Sequence, residues 1–374
     1  MKILFVVSGL GLGGADEQVI LLSKELARQG HRAGIYCLSR RTERLHDLDG
    51  SGVEVIVDDK RGRADLAVLW RLRRQVRRWQ PDLVHAFGYD ADVYSRVAVL
   101  GAGIPVLNSE RSDDQRVSRA HALGYRLSGA LCDGVVANTR AGAQFAQRLH
   151  RLAESRVDVL WNVVDLEAID ARIARSSQPA REIFPGPHLK RLCMVLSIKP
   201  ANDYPLALRA LKRLVDQDPS WRLICIGEEP AEFRGYQSQV LAERDHLGLE
   251  AFVKFVGHRS DVVELIASSE LVLLTSKHGG FPLIALEAMA CNTPVVCTDW
   301  GDVRCLLPGA QVVATRAEAD VAAAVLECYG RRGEITAAQR RWAEQHGTAA
   351  AGAATLLRMY AKYLFFAGVR VEPA

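Results

Sequence analysis

The sequence lacks several features that would place it in other classes of protein. No run of about 18 uncharged apolar residues occurs, so no segment is long enough to cross a bilayer as a helix. The eight cysteines are scattered through apolar stretches without a C-x-x-C pair, which argues against a zinc site and against a disulfide framework. The net charge is only +4, and no aromatic-basic motif accompanies it, which argues against a nucleic-acid-binding protein.

The composition is that of a globular protein with a large core. Hydrophobic residues make up 49% of the chain and charged residues 25%. The 374 residues are too many for one ordinary α/β domain and suit two domains of under about 200 residues each. The apolar stretch after Met1 is short and runs into glycines, Asp16 and Glu17. This favours a first buried strand over a cleaved leader, so we expect a cytoplasmic protein.

Short apolar runs alternate with segments of helical periodicity along the whole chain. The alternation predicts βαβ units and an α/β protein with parallel sheets, whose ligand sites lie at the carboxyl ends of the strands. Proline and glycine interrupt the pattern at residues 176–188, which we interpret as an interdomain linker. The predicted strands are 3–7, 33–37, 53–57, 83–86, 106–108, 134–137, 157–161, 191–197, 222–226, 253–255, 271–275, 294–297 and 311–313.

These patterns divide the chain into two domains. We expect a first domain of residues 1–175 plus 348–374 and a second domain of residues 185–347. The last helical stretch, residues 348–364, is long enough to pack back against the first domain.

A glycine-rich segment, residues 9–14, follows the first predicted strand. Glycines between a strand and a helix let the backbone approach a phosphate, which the free N–H groups and the helix dipole attract. Gly13 and Gly14 are the candidates for such a contact. A dinucleotide-binding site is disfavoured, because the spacing is not a clean G-x-G-x-x-G and no acidic residue ends the second strand. The alternative is a tight turn without a ligand.

A second glycine-rich loop, residues 276–282, follows a predicted strand of the second half and opens a helix that carries Glu287. Backbone N–H groups at such a turn can hold a diphosphate, and a carboxylate inside the helix can accept two hydrogen bonds from ribose hydroxyls. Glu287 is surrounded by Leu286, Ala288 and Met289, which makes a merely solvated glutamate the weaker alternative.

Six motifs occur in a fixed order along the chain. They are GGADEQV at 13–19, PDLVH at 81–85, DGVVANT at 133–139, VDVLWNVVD at 157–165, FVGHRSDV at 255–262 and GFPLIALEAMA at 280–290. In this order they resemble the motifs of the retaining family 4 group of GT-B nucleotide-sugar glycosyltransferases, and the resemblance covers nearly the whole chain. It implies two Rossmann-like parallel-sheet domains that face a cleft, with the C-terminal helix packing back on the N-terminal domain.

The resemblance also implies a set of donor-binding residues. The donor is a nucleotide diphosphate sugar, such as a UDP-sugar, and no metal or other cofactor is expected. Glu287 matches the glutamate with which the family contacts ribose, and Arg259 would lie near the base. The diphosphate would contact the backbone of Gly13, Gly14, Gly280, Phe281, Pro282 and Leu283.

The chain departs from the family at positions that face the donor. The glutamate that normally contacts the transferred sugar falls at Gly279. The two basic residues that normally neutralise the diphosphate fall at Ser197 and Asn202. Lys199 matches a variant pattern and is the expected cation, and Arg304 is a candidate for a second positive charge. These departures matter because charge neutralisation of a leaving group commonly contributes several kcal/mol in the transition state.

Three residues are candidates for the acceptor side. His85 ends a predicted strand, and either it contacts the acceptor or sugar, or it is a hydrogen-bonded core residue. The family often has a histidine near the end of the fifth strand. Asn108-Ser109-Glu110-Arg111 occupies that place here, a version also seen in relatives that build polysaccharides and glycolipids. Glu110 and Arg111 are therefore expected to face the acceptor.

A basic segment flanked by tryptophans, Trp70 to Trp79, suggests a membrane contact. It either lies on an anionic inner leaflet, where each arginine near the surface adds about 1 kcal/mol, or forms the solvated outer face of an ordinary helix. In the second case Leu69, Leu72 and Val76 point inward.

The sequence thus predicts a metal-independent hexosyltransferase of the cell envelope that retains the anomeric configuration. It would move a sugar from a nucleotide diphosphate sugar to a lipid-linked or cell-surface polysaccharide acceptor, in the cytoplasm or peripherally at the inner membrane. One alternative is a catalytically impaired relative that acts as a binding or scaffolding subunit, which the residues at Gly279 and Asn202 favour. Another is a nucleotide-sugar epimerase of the same fold, which the order of motifs disfavours.

Overall fold

The structure, a computed structural model, describes residues 1–11, 13–62, 65–111, 119–307 and 311–368. Of Arg119 and Ala120 it describes the backbone alone. Residue 12, within the first glycine-rich segment, lies outside the described residues. The chain forms two compact units, one of Met1–Val163 with Ala349–Ala374 and one of Val164–Thr348.

The first unit is built on a parallel sheet. Its described strands follow the order β3-β2-β1-β4-β5-β6-β7. They are β1 (Lys2–Val7), β2 (Arg32–Cys37), β3 (Glu54–Val57), β4 (Leu83–Phe87), β5 (Val106–Glu110), β6 (Gly134–Ala137) and β7 (Val157–Val159). The helices of this unit are α1 (Gly14–Arg28), α2 (Leu66–Trp79), α3 (Tyr89–Ala98), α4 (Arg119–Ser128), α5 (Arg140–His150) and α15 (Ala349–Phe366).

The final helix α15 packs on the first unit, as the sequence predicts. Tyr360 and Tyr363 are buried in one core with Phe5 of β1 and Leu22 of α1. The helix approaches the sheet so closely that a Cβ at Gly134 would lie 2.1 Å from the Tyr363 ring. A glycine is therefore required at this position of β6.

The second unit repeats the architecture. Its described strands are parallel in the order β10-β9-β8-β11-β12-β13. They are β8 (Lys190–Val195), β9 (Trp221–Ile226), β10 (Val253–Phe255), β11 (Leu271–Leu274), β12 (Val295–Thr298) and β13 (Val312–Val313). The helices are α6 (Leu166–Ala174), α7 (Pro179–Ile183), α8 (Tyr204–Gln217), α9 (Tyr236–His246), α10 (Val262–Ala267), α11 (Leu283–Ala290), α12 (Val303–Leu306), α13 (Glu318–Gly330) and α14 (Arg332–His346).

The strand order of each sheet reverses once, between β1 and β4 in the first unit and between β8 and β11 in the second. In open α/β sheets such a reversal is a topological switch point, and ligands bind outside the carboxyl ends of the strands there. The predicted fold class, two Rossmann-like parallel-sheet domains, is confirmed. The unit boundary lies at Val163 rather than at residue 175. Helix α6 joins the second unit because Arg172 donates to both oxygens of Glu264 on α10, at 2.9 and 2.6 Å.

Helix α2 does not present both of its tryptophans in the same way. Trp79 is buried, and its indole N–H donates to Glu54 at 3.0 Å. Trp70 is 63% exposed on the outer face. Leu72 and Val76 point into the core and Leu69 packs against it, as the alternative of an ordinary helix with a solvated outer face implies. Within the described residues, no helix is long and apolar enough to cross a membrane.

Candidate functional site

Two loops of the second unit lie at its switch point and are bonded to each other. One follows β8 and one follows β11, and we call them together the switch-point ledge, residues 196–203 and 275–282. The Lys277 amide donates to the Ala201 carbonyl at 2.8 Å. The Thr275 hydroxyl donates to the Asn202 carbonyl at 2.9 Å. These hydrogen bonds join the loop that carries Lys199 to the loop that carries Gly279 and leads into α11.

Asn202 fastens the two loops of the ledge. Its side chain is buried, with Nδ2 donating to the Ser197 carbonyl at 2.7 Å and Oδ1 accepting from the Ser276 hydroxyl at 3.0 Å. Both ends of the amide are therefore engaged within the protein. A lysine at this position would lose these bonds and bring an ammonium group into a buried place, which is costly. The geometry explains why asparagine stands where the resemblance implies a lysine.

Two lysines lie on the ledge. Lys199 is partly exposed, and its ammonium group forms no hydrogen bond or ion pair with the residues that the structure describes. Lys277 is 49% exposed at its side chain and lies 3.7 Å from a carboxylate oxygen of Asp203. Lys277 is not among the residues predicted from the sequence, although it lies close to the glycines of the second loop. Its position after β11 at the switch point is the signal that would have found it.

Arg316 holds the second loop of the ledge through hydrogen bonds to its main-chain carbonyls. It donates to the Thr275 carbonyl at 2.8 Å and to the Ser276 carbonyl at 3.2 Å, and it forms an ion pair with Asp203 at 2.5 Å. Asp203 thereby has Arg316 as its main partner, and the more distant Lys277 keeps a solvent-facing ammonium group.

Trp300 fills the space beside Gly279. A Cβ at Gly279 would lie 2.9 Å from the Trp300 ring. The following residue, Gly301, has a φ of +54°, and a Cβ there would lie 3.3 Å from the carbonyl oxygens of Gly279 and Gly280. The turn after β12 therefore closes tightly on the glycine loop, and the Trp300 indole leaves no room for a side chain at Gly279. Sequence reasoning missed Trp300.

Helix α11 continues from the glycine loop. Phe281 and Pro282 are buried and anchor its start, and Leu283 is its first residue. Glu287 lies in the second turn and is partly exposed. Burial, together with the nearby Glu287 carboxylate, raises the pKa of the Cys291 thiol. Glu287 thus lies on the helix that the sequence predicts after the glycine loop, and its contact with ribose stays a prediction.

The other two predicted cations are paired with carboxylates. Arg259 binds Asp261 through Nε at 2.8 Å and through Nη2 at 2.6 Å, and these hydrogen bonds raise its pKa. Arg304 is exposed and donates to Asp299 at 2.9 Å. The charge of Arg304 is thus already neutralised by Asp299. Lys277, in contrast, lies on the ledge itself.

The first unit's glycine loop is crowded at its start. A Cβ at Gly11 would lie 2.4 Å from the Arg41 guanidinium, and a Cβ at Gly9 would lie 2.7 Å from the Arg41 Cβ. The Asp16 carboxylate accepts the Gly11 N–H at 2.9 Å. The Asp16 carboxylate thus already accepts a hydrogen bond from an N–H group that a phosphate would otherwise bind. Gly13 and Gly14 are exposed at the start of α1.

His85 is a core residue of the first unit. Its side chain is fully buried between β4 and α15, and its Nδ1 lies 2.7 Å from the Tyr360 hydroxyl. Burial, with a smaller contribution from the Arg111 charge, holds the pKa of His85 well below its usual value. This is the second of the two alternatives for His85, a hydrogen-bonded core histidine that stays neutral.

Arg111 lies at the carboxyl end of β5, directly after Glu110. Its Nε donates to the Ser109 hydroxyl at 2.9 Å and its Nη1 donates to Asn162 Oδ1 at 2.8 Å. The guanidinium carbon lies 5.2 Å from the centre of the Phe87 ring. Burial lowers the pKa of Arg111 to about 10. Glu110 is partly exposed beside it.

Comparison with known families gives two matches. The profile described as Glycosyltransferase Family 4 matches residues 12–168. The profile described as Glycosyl transferases group 1 matches residues 190–331. The two matches together account for most of both units. The chain belongs to the glycosyltransferase family that these two profiles describe.

Individual relatives are more distant. The D-inositol 3-phosphate glycosyltransferase of Mycolicibacterium smegmatis is 30% identical over 227 residues, which cover 60% of this chain and 48% of that protein. The chain spans about half the length of the curated relatives it matches. The Anabaena Alr3699/HepE structure in complex with UDP has a TM-score of 0.78 at 20% identity. The superposition covers 96% of this chain and 99% of the Anabaena chain.

A second solved structure gives the same result. The apo form of the lipopolysaccharide outer core galactosyltransferase WaaB has a TM-score of 0.70 at 15% identity, covering 98% of this chain and 99% of its own. At such identities these two structures show only that this chain shares their GT-B fold.

Proposed function

We propose that this protein transfers a sugar from a nucleotide diphosphate sugar to a lipid-linked or cell-surface polysaccharide acceptor. The observation that carries the proposal is the switch-point ledge. It combines a glycine loop, a helix start and two lysines at the place where sheets of this kind bind ligands. Membership of the family supports the reaction class. A solved neighbour that is named as a complex with UDP supports a UDP-sugar as the donor.

The donor would lie on the ledge with its diphosphate against the backbone of residues 280–283. We assign Lys199 and Lys277 as the cations that neutralise it. Charge on the leaving diphosphate grows as the bond to the sugar breaks, so positively charged groups beside it stabilise the transition state more than the ground state. Glu287 would accept hydrogen bonds from the ribose hydroxyls, and Arg259, held by Asp261, would lie near the base.

We propose that the transfer retains the anomeric configuration and needs neither a metal nor another cofactor. The two lysines and the backbone N–H groups of the ledge would supply the charge stabilisation for the leaving group. On the acceptor side, the exposed part of Glu110 and Arg111 is assigned to contact the incoming molecule. His85 would act indirectly, by holding Tyr360 and the end of β4 in place.

We further propose that the protein works in the cytoplasm, at the surface of the inner membrane. Helix α2 supports this location. Trp70 and Leu66 are exposed on its outer face, and Arg74, Arg77 and Arg78 lie there too, forming no ion pair with the described residues. Exposed aromatic and basic side chains on one helix face suit the interface of an anionic membrane.

A second candidate, a binding subunit without turnover, is favoured by the environment of Gly279. The Trp300 ring lies against Gly279, where the resemblance implies a glutamate, and both ends of the Asn202 amide are bonded within the ledge. Turnover separates the two candidates, because a binding subunit would bind the nucleotide without releasing it from its sugar.

The first test is a panel of UDP-, GDP- and ADP-sugars offered to the full-length protein. Thermal unfolding reports binding, because a ligand that binds only the folded state raises the unfolding temperature. We expect a rise with at least one member of the panel. No rise with any nucleotide sugar, checked by calorimetry, would rule out both the transferase and the binding subunit.

A further inference from the structure

Buried arginines normally satisfy their guanidinium groups within the protein, and two arginines of this chain do so. Arg96 is fully buried and donates through Nε and Nη2 to Asn108, through Nη1 to Ser128 at 2.9 Å and through Nη2 to His150 at 3.1 Å. Arg191 is equally buried and donates to three main-chain carbonyls, with Glu270 at 3.5 Å as its counter-ion.

Arg111 differs from both because one of its nitrogens is left without an acceptor. Its two hydrogen-bond partners, Ser109 and Asn162, are neutral, as are the partners of Arg96. Among the residues that the structure describes, no carboxylate forms an ion pair with it, and its Nη2 is buried without a hydrogen-bond partner. A buried charge without a counter-ion is costly, and so is a buried N–H without an acceptor. The cost is recovered if a ligand supplies the missing negative oxygen.

Two further residues also carry buried polar atoms without a hydrogen-bond partner. Asn138, at the end of β6, donates to the Arg111 carbonyl at 3.5 Å, and its Oδ1 is buried without a partner. His85 Nε2 is likewise buried and unpartnered. The unsatisfied atoms belong to residues at or near the carboxyl ends of β4, β5 and β6, on the side of the sheet where ligands of such folds bind. Arg111 as a whole is partly exposed, although its Nη2 is buried.

We propose that Arg111 is the anchor for a phosphate group carried by the acceptor. A guanidinium group presents its N–H groups in a planar fork that matches phosphate oxygens, and the resulting hydrogen bonds are charge-assisted. Ser109 and Asn162 fix the plane of the fork without neutralising it. The adjacent Glu110 carboxylate acts on the guanidinium charge electrostatically but forms no ion pair with it, so Nη2 can still bind an anion. The inference rests on the proposed function only in assigning the phosphate to the acceptor. The diphosphate of the donor is assigned to the lysines of the ledge instead.

The test is the binding of inorganic phosphate to the full-length protein, measured by calorimetry with and without saturating UDP. Arg111→Gln removes the charge, and Arg148→Gln, on the exposed face of α5, makes the same charge change elsewhere. We expect wild type and Arg148→Gln to bind phosphate equally, with UDP present or absent, and Arg111→Gln to bind at least tenfold more weakly. Equal binding by Arg111→Gln would overturn the site, and displacement of phosphate by UDP would assign the anion to the donor instead.

Two probes of the same chemistry distinguish a soluble acceptor from a lipid acceptor. Glycerol 3-phosphate represents the first, and vesicles containing phosphatidic acid represent the second. A loss of binding on Arg111→Gln with either probe supports the proposal and identifies the source, and no loss with both contradicts it. Arg111→Lys keeps the charge without the fork and should give an intermediate affinity, which makes the test independent of whether Arg111→Gln folds well.

The same titrations separate this inference from the proposed function. UDP binding should survive in Arg111→Gln. If UDP binds and phosphate binding ignores Arg111, the anion site is wrong and the transferase proposal stands. If no form binds UDP while phosphate binding depends on Arg111, the transferase proposal is wrong and the anion site stands.

Discussion

Glu287 is the residue on which nucleotide affinity should depend most. Each hydrogen bond to a charged group contributes about 1.5–3 kcal/mol, and two of them hold the ribose in our account. We therefore predict that Glu287→Ala weakens UDP binding by more than tenfold in calorimetry. Glu228→Ala is the matched control, since Glu228 is an exposed carboxylate in the loop after β9. If both variants bind UDP with wild-type affinity, Glu287 does not contact the nucleotide.

Gly279 should not accept the glutamate that the family resemblance implies. Its Cβ position lies 2.9 Å from the Trp300 ring, and overpacking of this kind typically costs about 1–3 kcal/mol. We predict that Gly279→Glu lowers the unfolding temperature and weakens UDP binding. The double variant Gly279→Glu with Trp300→Ala should recover stability. A single variant as stable as wild type would show that Trp300 moves aside freely.

At this scale the sequence is only a partial guide. It correctly marks Asn202 and Gly279 as departures, but the reasons for them lie in contacts far along the chain. Asn202 bonds to Ser276, and Gly279 packs on Trp300, and neither pairing has a local pattern. The same holds for Lys277, whose place on the ledge follows from the pairing of β8 with β11 rather than from its neighbours in sequence.

Helix α2 carries two tryptophans whose substitution should have opposite effects. Trp79 is buried against Gly34 and bonded to Glu54, so Trp79→Ala should cost about 3–5 kcal/mol of unfolding free energy. Trp70 is exposed, so Trp70→Ala should leave the unfolding temperature unchanged and reduce co-sedimentation with anionic vesicles. Vesicle binding should also fall with added salt, because the arginines act through screened charge. Binding unaffected by Trp70→Ala would leave α2 as an ordinary solvated helix.

Most elements were predictable from the sequence, since a strand buried on both faces reads as a short apolar run. Every predicted strand has a counterpart in the described residues, with ends that differ by a few residues. The two tryptophans of α2 were harder to assign. The helical period alone left open how far each would be buried, and the buried position of Trp79 depends on the absence of a side chain at Gly34 on the neighbouring β2.

At the scale of the whole molecule, alternation of strands and helices was enough to predict two parallel-sheet units. The boundary between them was less well predicted, because α6 precedes the proline- and glycine-rich stretch at 176–188 that looks like the linker in sequence. Helix α6 is bonded to the second unit through the Arg172–Glu264 pair and through Arg340, which donates to Asp170 at 2.8 Å. Charged contacts over such sequence distances leave no periodic signal.

The central claim is that the switch-point ledge carries the leaving diphosphate of a nucleotide sugar. The most direct measurement is the rate at which the full-length protein releases UDP from a UDP-sugar, with water as the acceptor, in wild type, Lys199→Ala and Lys277→Ala. Lys212→Ala, an exposed lysine of α8 paired with Asp216, is the control. We predict measurable release by wild type and by the control. We expect kcat to fall at least tenfold in each ledge variant, with a smaller change in UDP affinity. Release that survives the loss of both lysines, or the absence of release with every nucleotide sugar that binds, would contradict the account.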